Sequence, residues 1–354
     1  MNPARFFTNR PFFIRLFNWE YWSFNTIYIP IYIVWIMLCI RARSFFFFAA
    51  SNPRIKNGGF LNESKKDIYA LVPAAYQPRT VFFSFPADTD KVLAALKKNG
   101  MNYPLIAKPD IGARGRGVKK LLSDDDVAGY LSVNTVDFHV QEFISFANEV
   151  GIFYYRDPEE QQGKISGIVR KEFLSVTGDG NASIRDLLKK KQRGILQLKK
   201  LEATDKNMLD EIPANNERRV VVPYGNHARG AMFVDDSATI DEALTKAIDG
   251  ICRTIPEFYF GRLDIRYADW ESLKSGSNFT VIEVNGAGSE PTHIYDPRHS
   301  IFFAWKEIIR HWLILWRISR KNHKRGFRYL TVGEGVRMFR EDKMHSRKLA
   351  AMQV

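Results

Sequence analysis

Cysteine is nearly absent: the 354 residues hold two, Cys39 and Cys252, far apart in the chain. Neither has the close spacing of a zinc site or a redox pair, so a disulfide-stapled secreted scaffold is excluded and a reducing, cytosolic setting is expected. Long apolar runs are also missing. The best stretch, Thr26 to Ile40, is broken at Pro30 and closed by Arg41 and Arg43, short of the about 20 residues a spanning helix wants. No small-residue cleavage site of a secretory signal follows it, and no repeat of solenoid length is visible. With 45% apolar and 26% charged residues, disorder, a collagen-like repeat and a polytopic membrane protein are excluded too. The length suits two or three lobes with buried cores.

Acidic residues are scarce at the two ends. Residues 301 to 354 carry a surplus of nine positive charges and residues 1 to 43 a surplus of four, which together make the whole net charge of +13. The segment between is neutral, so the basicity belongs to the termini. Those termini are aromatic as well: Trp19, Tyr21, Trp22 and Phe24 at one end, Trp305, Trp312 and Trp316 at the other. Ile301, Phe302, Trp305, Ile308, Ile309, Trp312, Leu313 and Trp316 recur at helical spacing, with Lys306, Arg310, Arg317 and Arg320 mostly elsewhere around the wheel. That pattern predicts a basic amphipathic helix, followed by a polar, basic tail.

Two readings of the apolar leader stand. Spanning would export Arg5, Arg10 and Arg15, against the positive-inside tendency, so an interfacial or re-entrant element on an anionic membrane surface is one. A buried hairpin that packs on the domain is the other. Abundant Trp and Phe favour lipid over nucleic acid as the partner of the basic ends.

Past Arg43 the pattern turns to compact alternation. Ser44 to Ala50 reads as a strand, Lys65 to Ala75 as a helix, Thr80 to Phe85 as a strand and Asp88 to Lys98 as a helix, a small α/β lobe. A strand signal from Tyr103 to Lys108 opens a further α/β region that runs to about Ile294. The expected organisation is a leader over 1–43, a small lobe over 44–100, a two-lobed domain over 101–298, and the basic helix and tail over 299–354.

Three segments carry chemistry. From Pro104 to Val118 an apolar strand ends in Ala107, Lys108 and Pro109, and Gly112, Gly115 and Gly117 follow with Arg114 and Arg116 between them. Glycines let backbone N–H groups approach phosphate oxygens, and a lysine at the strand end can reach them as a point charge. The loop has neither the Gly-Lys-Ser/Thr ending of a Walker loop nor a dinucleotide fingerprint, and a glycine-rich surface turn would look the same. From Val140 to Glu149, Gln141, Glu142, Phe143 and Ile144 end a short strand and Glu149 follows. Main-chain groups at Phe143 to Ser145 can read a base edge and a carboxylate can accept ribose hydroxyls; a strand end with solvated acids is the plain alternative. The third segment is the most specific: Gly261-Arg262-Leu263-Asp264 and, nineteen residues after that aspartate, Glu283-Val284-Asn285, on two strand-like stretches. Alternation puts Glu283 and Asn285 on one face. Hard oxygen ligands converging from neighbouring strands suit Mg²⁺ held against phosphates, and unpaired carboxylates in an apolar sheet would be costly without a cation.

Taken in order, Lys108-Pro109 with its glycine loop, Glu142 to Glu149, Lys171, Arg262-x-Asp264 and Glu283-x-Asn285 resemble the ATP-grasp enzymes, and most closely the D-alanyl-D-alanine ligases. The likeness covers roughly residues 100 to 297. It implies an α/β (α+β) ATP-grasp fold and an enzyme that uses ATP and Mg²⁺ to join a small-molecule carboxylate to an amine through an acyl phosphate. It implies that Lys108 and Lys171 bind nucleotide phosphates, that Glu142 and Glu149 flank an adenine and ribose hinge, and that Arg262 steadies the transferring phosphoryl group. Asp264, Glu283 and Asn285 would bind the metal. Gly58-Gly59 before Glu63 resemble the ligases' amino-acid-binding loop, although Glu63 also reads as a loop or helix-start residue. Ser289 and Thr292 in the loop after the metal ligands are candidate donors to the substrate carboxylate and His293 a candidate acid or base. Arg229 is a further substrate candidate, and His227 beside it reads equally as a hydrogen-bonded surface histidine. A kinase-like grasp that stops at phosphorylation, or a membrane-bound nucleotide-binding protein without catalysis, are the alternatives.

Overall fold

The structure, a computed structural model, describes residues 10–112 and 115–352; Arg5 and Arg114 lie outside them. In chain order the strands are β1 (Thr80–Phe83), β2 (Leu105–Pro109), β3 (Lys119–Leu121), β4 (Phe138–Glu142), β5 (Asn148–Tyr155), β6 (Lys164–Glu172), β7 (Leu174–Thr177), β8 (Arg218–Val222), β9 (Met232–Asp235), β10 (Phe260–Tyr267) and β11 (Phe279–Asn285). Four helices matter most below: α1 (Tyr32–Ala42), α2 (Lys65–Leu71), α3 (Ile301–Lys324) and α4 (Val332–Ala351). Neighbouring strands pair antiparallel, β1 with β4, β4 with β2, β2 with β3, and β5 with β10 and β10 with β11, so the class is α+β. The chain forms two compact units, a larger one over 33–168, 237–291 and 308–354 and a smaller one built from the start of the chain, 169–236 and 292–307.

In the larger unit the sheet β1-β4-β2-β3 buries one face. Leu105, Ala107, Leu121, Phe138 and Val140 pack on Val92 and Leu96 of helix Thr89–Lys98 and on Val127 and Tyr130 of helix Asp124–Val133. Both helices start where a side chain satisfies the first free amides: Asp88 accepts from Lys91 N and Ser123 from Asp126 N. Because side chains alternate along a strand, Ile106 and Lys108 of β2 and His139 and Gln141 of β4 occupy the opposite face.

A second core lies under β5, β10 and β11. Ile152, Leu263, Ile265 and Val281 pack on Leu244, Ile248 and Ile251 of helix Glu242–Thr254. The β10–β11 register slips between Asp264 and Ile265, whose partners are Glu283 and Val281. Ile282 is thus the extra residue of a bulge, a device common beside active sites. It lets Val281 face the core with Ile265 while Glu283, two residues on, faces away with Asp264.

The aromatic segment departs from its expected strand. Phe47–Ala50 form a 3₁₀ turn, because Phe46, Phe47 and Phe48 are all buried and a strand would have turned the middle one away. They join a third core with Leu38 and Cys39 of α1 and Ile314, Leu315 and Ile318 of α3. Trp35 meets Trp312 edge-on at 5.1 Å. The expected helix from Lys65 stops at Leu71, since the residue before Pro73 is pushed out of helical space. The buried amide of Asn52 ties this region together: its oxygen accepts from Tyr259 N and Phe260 N, and its nitrogen donates to Gly58 O and Phe260 O.

The smaller unit packs β7 and β8 on three short helices through Leu174, Val176, Ile184, Leu188, Leu209 and Val221. The end of β6 pairs there with β9, Lys171 opposite Phe233.

Candidate functional site

Lys108 stands opposite His139 in the β2–β4 register. Its Nζ donates to Gln141 Oε1 at 2.7 Å. Burial pulls this lysine down to about 8, with Lys65 and Arg266 adding to the shift and Glu283 and Glu149 opposing it. Five charged side chains therefore share one neighbourhood. Gln141 Nε2 donates to Tyr69 Oη at 3.0 Å and to Thr80 Oγ1 at 3.1 Å, and Tyr69 Oη donates to the carbonyl of the bulged Ile282 at 2.6 Å. His139 is fully buried, and neither ring nitrogen has a hydrogen-bond partner among the described residues. Burial, then Lys108 and Lys65, hold it well below the usual histidine range, so it is a neutral imidazole at neutral pH.

On β10 and β11, Asp264 is directly opposite Glu283 and Arg262 opposite Asn285, so all four project from one face. Arg262 Nε and Nη2 donate to the two Asp264 oxygens at 2.8 and 3.2 Å, a forked pair. The Asn285 amide nitrogen is buried without a partner among the described residues. Those residues include no preformed group of three His, Cys, Asp or Glu; the donors present are two carboxylates and an amide oxygen. That set fits a hard divalent cation once Arg262 yields Asp264, since Mg²⁺ takes one or two carboxylates and fills its shell with substrate oxygens.

Glu149, one residue into β5, is buried and receives Arg266 Nε at 2.9 Å. Glu142 turns to the other face from Gln141, where the Arg79 backbone N and Nε each donate to it at 2.9 Å. Phe143 and Ile144 follow β4 without regular structure, and Lys120 lies 4.4 Å from the centre of the Phe143 ring.

The glycine-rich loop leaves β2 through Asp110, which sits at the start of α2. Asp110 O accepts from Lys65 N and Asp110 Oδ1 from Lys66 N. Lys65 Nζ adds a bond to Gly112 O at 2.9 Å. Gly115 and Gly117 both have positive φ. The second loop, Gly58-Gly59, lies against Gly286: Ala287 N and Gly288 N donate to Gly58 O and Gly59 O at 2.9 and 2.8 Å. A Cβ on Gly59 would come within 2.6 Å of Gly286 Cα, so no side chain fits there. This contact ties the loop carrying Glu63 to the end of β11. Burial pushes the Glu63 carboxyl up, Glu283 and Asp342 add to the shift, and Lys65 and its own backbone amide oppose it. Ser289 donates its hydroxyl back to Gly286 O within its own turn. A cleft of about 640 Å³ opens at Glu63 and Ser64, bordered by Arg54, Lys56 and Arg328 and by none of Lys108, Arg262, Asp264 or Glu283.

Lys171, Arg229, Thr292 and His293 belong to the smaller unit. Lys171 is buried. His293 Nε2 lies 3.4 Å from Glu307, and Thr292 Oγ1 is buried without a partner among the described residues. Arg229 stacks on Tyr224 at 4.9 Å. His227 is bonded to Glu20 of the leader at 2.9 Å, which fits the plain reading of that histidine.

Tyr69, His139, Lys65 and Arg266 carry no signal in the sequence reading, and Gln141 figures there only as a strand residue beside Glu142. Gln141 and His139 alternate on β4, and that alternation was available. Which of the two faces of β4 meets Lys108 depends on the β2–β4 register, which it does not carry.

No family model matches the chain, and no curated protein matches it. Solved structures similar to it include a bifunctional glutathione synthetase from Pasteurella multocida, with 17% identity over 72% of this chain and 38% of that one and a TM-score of 0.38. The VanG D-Ala:D-Ser ligase from Enterococcus faecalis shares 17% identity over 72% of this chain and 61% of its own, with a TM-score of 0.41. D-alanine–D-alanine ligase from Bacillus anthracis shares 12% over 74% and 69%, with a TM-score of 0.42. The chain thus spans less than two thirds of the first two.

Proposed function

We propose that the chain is an ATP-grasp enzyme, a carboxylate–amine ligase that spends ATP to form a carbon–nitrogen bond. In the proposed reaction a substrate carboxylate oxygen takes the γ-phosphoryl group and ADP leaves; an amine then attacks the acyl carbon, phosphate departs, and a proton is released as the amide forms. The observation that carries the reading is the β10–β11 register, which sets Asp264 against Glu283 and Arg262 against Asn285, with Glu283 in the charge field of Lys108. Asp264, Glu283 and Asn285 are the proposed holders of Mg²⁺, which when bound would screen the phosphates. Lys108 and Lys171 neutralise the triphosphate, the amides of the glycine loop cradle it, and Arg262 steadies the phosphoryl group in transfer. Glu149, oriented by Arg266, accepts ribose hydroxyls, and Phe143 and Ile144 read the base with their backbone. Glu142 is the less supported member of that hinge, because Arg79 holds it and Gln141 takes the inward face. Glu63, Ser289, Thr292, His293 and Arg229 are the proposed substrate groups.

An ADP-release screen across candidate acids and amines, with mass spectrometry of products, tests the reading. An amide made in step with ADP supports ligation. Phosphorylated acid without amide supports the kinase-like alternative, and nucleotide binding without turnover the non-catalytic one.

A second reading concerns location. On α1, Ile33, Ile36, Met37 and Ile40 are 62, 47, 53 and 69% exposed, one helical stripe that leaves Leu38 and Cys39 in the core. Phe24–Ala42 is long and apolar enough to cross a membrane by length and composition, yet α1 is committed on its other face. Such a half-buried apolar helix, with Arg41 in its last turn and Arg43 just past its end, suits peripheral attachment to an anionic, cytoplasmic membrane face. Liposome flotation of the full chain tests it: failure to float with anionic vesicles at low salt removes this reading and leaves the ligase reading intact.

A further inference from the structure

The last helix reaches back to the glycine-rich loop. Helix α4 begins with a capping box, Thr331 accepting from Glu334 N while the Glu334 carboxylate accepts from Thr331 N, and Arg328 braces the same carboxylate with two bonds of 2.8 Å. Its first turns pass the substrate-side loop, where Asn62 Nδ2 donates to Met338 O at 2.8 Å and Gly335 lies against the Phe46 ring. Its last turns meet the phosphate-side loop. His345 Nε2 donates to Ile111 O at 2.7 Å, which fixes the proton on that nitrogen. Leu349 is buried in the core beneath β2 and β4. Its Cδ1 lies 2.9 Å from where a Cβ on Gly112 would stand, and Gly112 has φ +150°. Met352 Cε is 3.4 Å from the equivalent point on Gly117. On the inner side the same loop is held by Lys65, through Asp110 O and Gly112 O.

We propose that the end of α4 is a clamp that presets the glycine-rich loop for phosphate, so that His345 and Leu349 are positioning residues for nucleotide although they need not touch it. This rests on the reading of the described loop residues, 110–112 and 115–117, as phosphate-holding. Glycines make the loop's amides available, and they also give it conformational freedom that must be lost on binding. Contacts that remove this freedom beforehand raise affinity without touching the ligand. The first residues of the loop, Asp110 to Gly112, are therefore held from two sides, by Lys65 from α2 and by His345 and Leu349 from α4, while Met352 approaches its far margin at Gly117.

The test uses the full chain, with MgATP and MgADP as probes, calorimetric binding, and hydrogen exchange of the 111–112 and 115–117 amides in nucleotide-free protein. His345→Ala and Leu349→Ala are each expected to weaken MgADP binding by about five- to tenfold and to speed exchange of those amides. KM for ATP should rise while kcat at saturating ATP stays within about twofold. His345→Gln, which keeps a donor at the same reach, should restore most of the affinity. Val127→Ala, in the same core but away from the loop, controls for lost packing and should lower the melting temperature without raising KM. Unchanged nucleotide affinity and unchanged exchange in both α4 variants overturns the clamp, as does a Val127→Ala effect on KM equal to that of Leu349→Ala. If the wild-type chain binds neither nucleotide, the loop reading fails; faster exchange in the variants would then uphold the grip on the loop alone.

Discussion

Two buried clusters of charge invite comparison, one in each unit. In the smaller unit Glu20 receives Arg193 at 2.6 Å and His227 at 2.9 Å. Arg193 also donates to Ala231 O, and its guanidinium lies over the Tyr21 ring at 5.3 Å. Burial pushes the Glu20 carboxyl up, but the His227 bond and the Arg193 charge outweigh it and leave it below the usual range. That cluster is self-satisfied. In the larger unit the picture is opposite: a lysine pulled toward neutrality, a buried imidazole with both nitrogens orphaned, and, on β11, an asparagine amide with no donor target among the described residues. Buried polar groups are ordinarily paired, so the first cluster has the marks of architecture, while the second keeps buried polar atoms unpaired among the described residues, as the proposed site requires.

The largest expected effect would break the second cluster. Glu283→Gln should abolish nucleotide turnover, by about a thousandfold or more if it carries transition-state charge, with a melting temperature close to wild type. Asp264→Asn should lose turnover equally and also stability, about 3 kcal/mol, because Arg262 stays buried without its partner. Thermal melts beside an ADP-release assay separate the two. Full Mg²⁺-dependent turnover in both variants would sink the site.

Glu20→Gln tests the first cluster. Removing the shared carboxylate strands Arg193 and should cost about 3 kcal/mol in denaturant unfolding, with nucleotide affinity unchanged. Its pH signature follows from the lowered folded-state value: the stabilisation is full above the unfolded carboxylate range near 4.5 and fades as pH falls through the folded value. An acid titration of stability that is the same in Glu20→Gln as in wild type would contradict this.

Lys108 gives the same sign in an alkaline window, though there it is the neutral form that folding favours. Its folded value of about 8 lies below the unfolded 10.5, so between those limits the unfolded chain binds the extra proton and nucleotide-free stability rises with pH. Nucleotide affinity should fall as pH passes about 8, since the charged form holds phosphate. Calorimetry in buffers of different ionisation heat would register proton uptake on binding at pH 9, and Lys108→Met should abolish that uptake.

The smallest effect is a separation of parameters. Arg262→Lys keeps a charge but loses the fork onto Asp264, and should lower kcat about tenfold or more while nucleotide affinity moves within about threefold. A change in affinity alone would move Arg262 away from the transferring group.

Much of this was legible because it is local. Lys108 at a strand end before glycines, and Arg262-x-Asp264 followed by Glu283-x-Asn285, need only strand alternation to be placed on faces. The bulge at Ile282 was not legible, and without it Val281 and Glu283 would share a side. The inward turn of Gln141 rather than Glu142 depends on which strand lies beside β4. The four phenylalanines 45–48 carry no period, so the 3₁₀ turn that begins at Phe47 is dictated by the helices on which Phe46, Phe47 and Phe48 pack. The Gly58–Gly59 loop meets Gly286, more than two hundred residues away, a contact that no local pattern carries.

Asn52 has a consequence on a different timescale, that of chemical ageing. Its amide makes four hydrogen bonds, and loss of the nitrogen as ammonia would set a carboxylate against the Gly58 and Phe260 carbonyls, turning two attractions into repulsions. Deamidation usually begins when the next backbone N–H attacks the side chain. The next residue is Pro53, which has no N–H to offer. The spot where one lost nitrogen would part the Gly58 loop from β10 is therefore closed to the common route of decay, and protein stored for long periods should accumulate its first deamidated residues elsewhere.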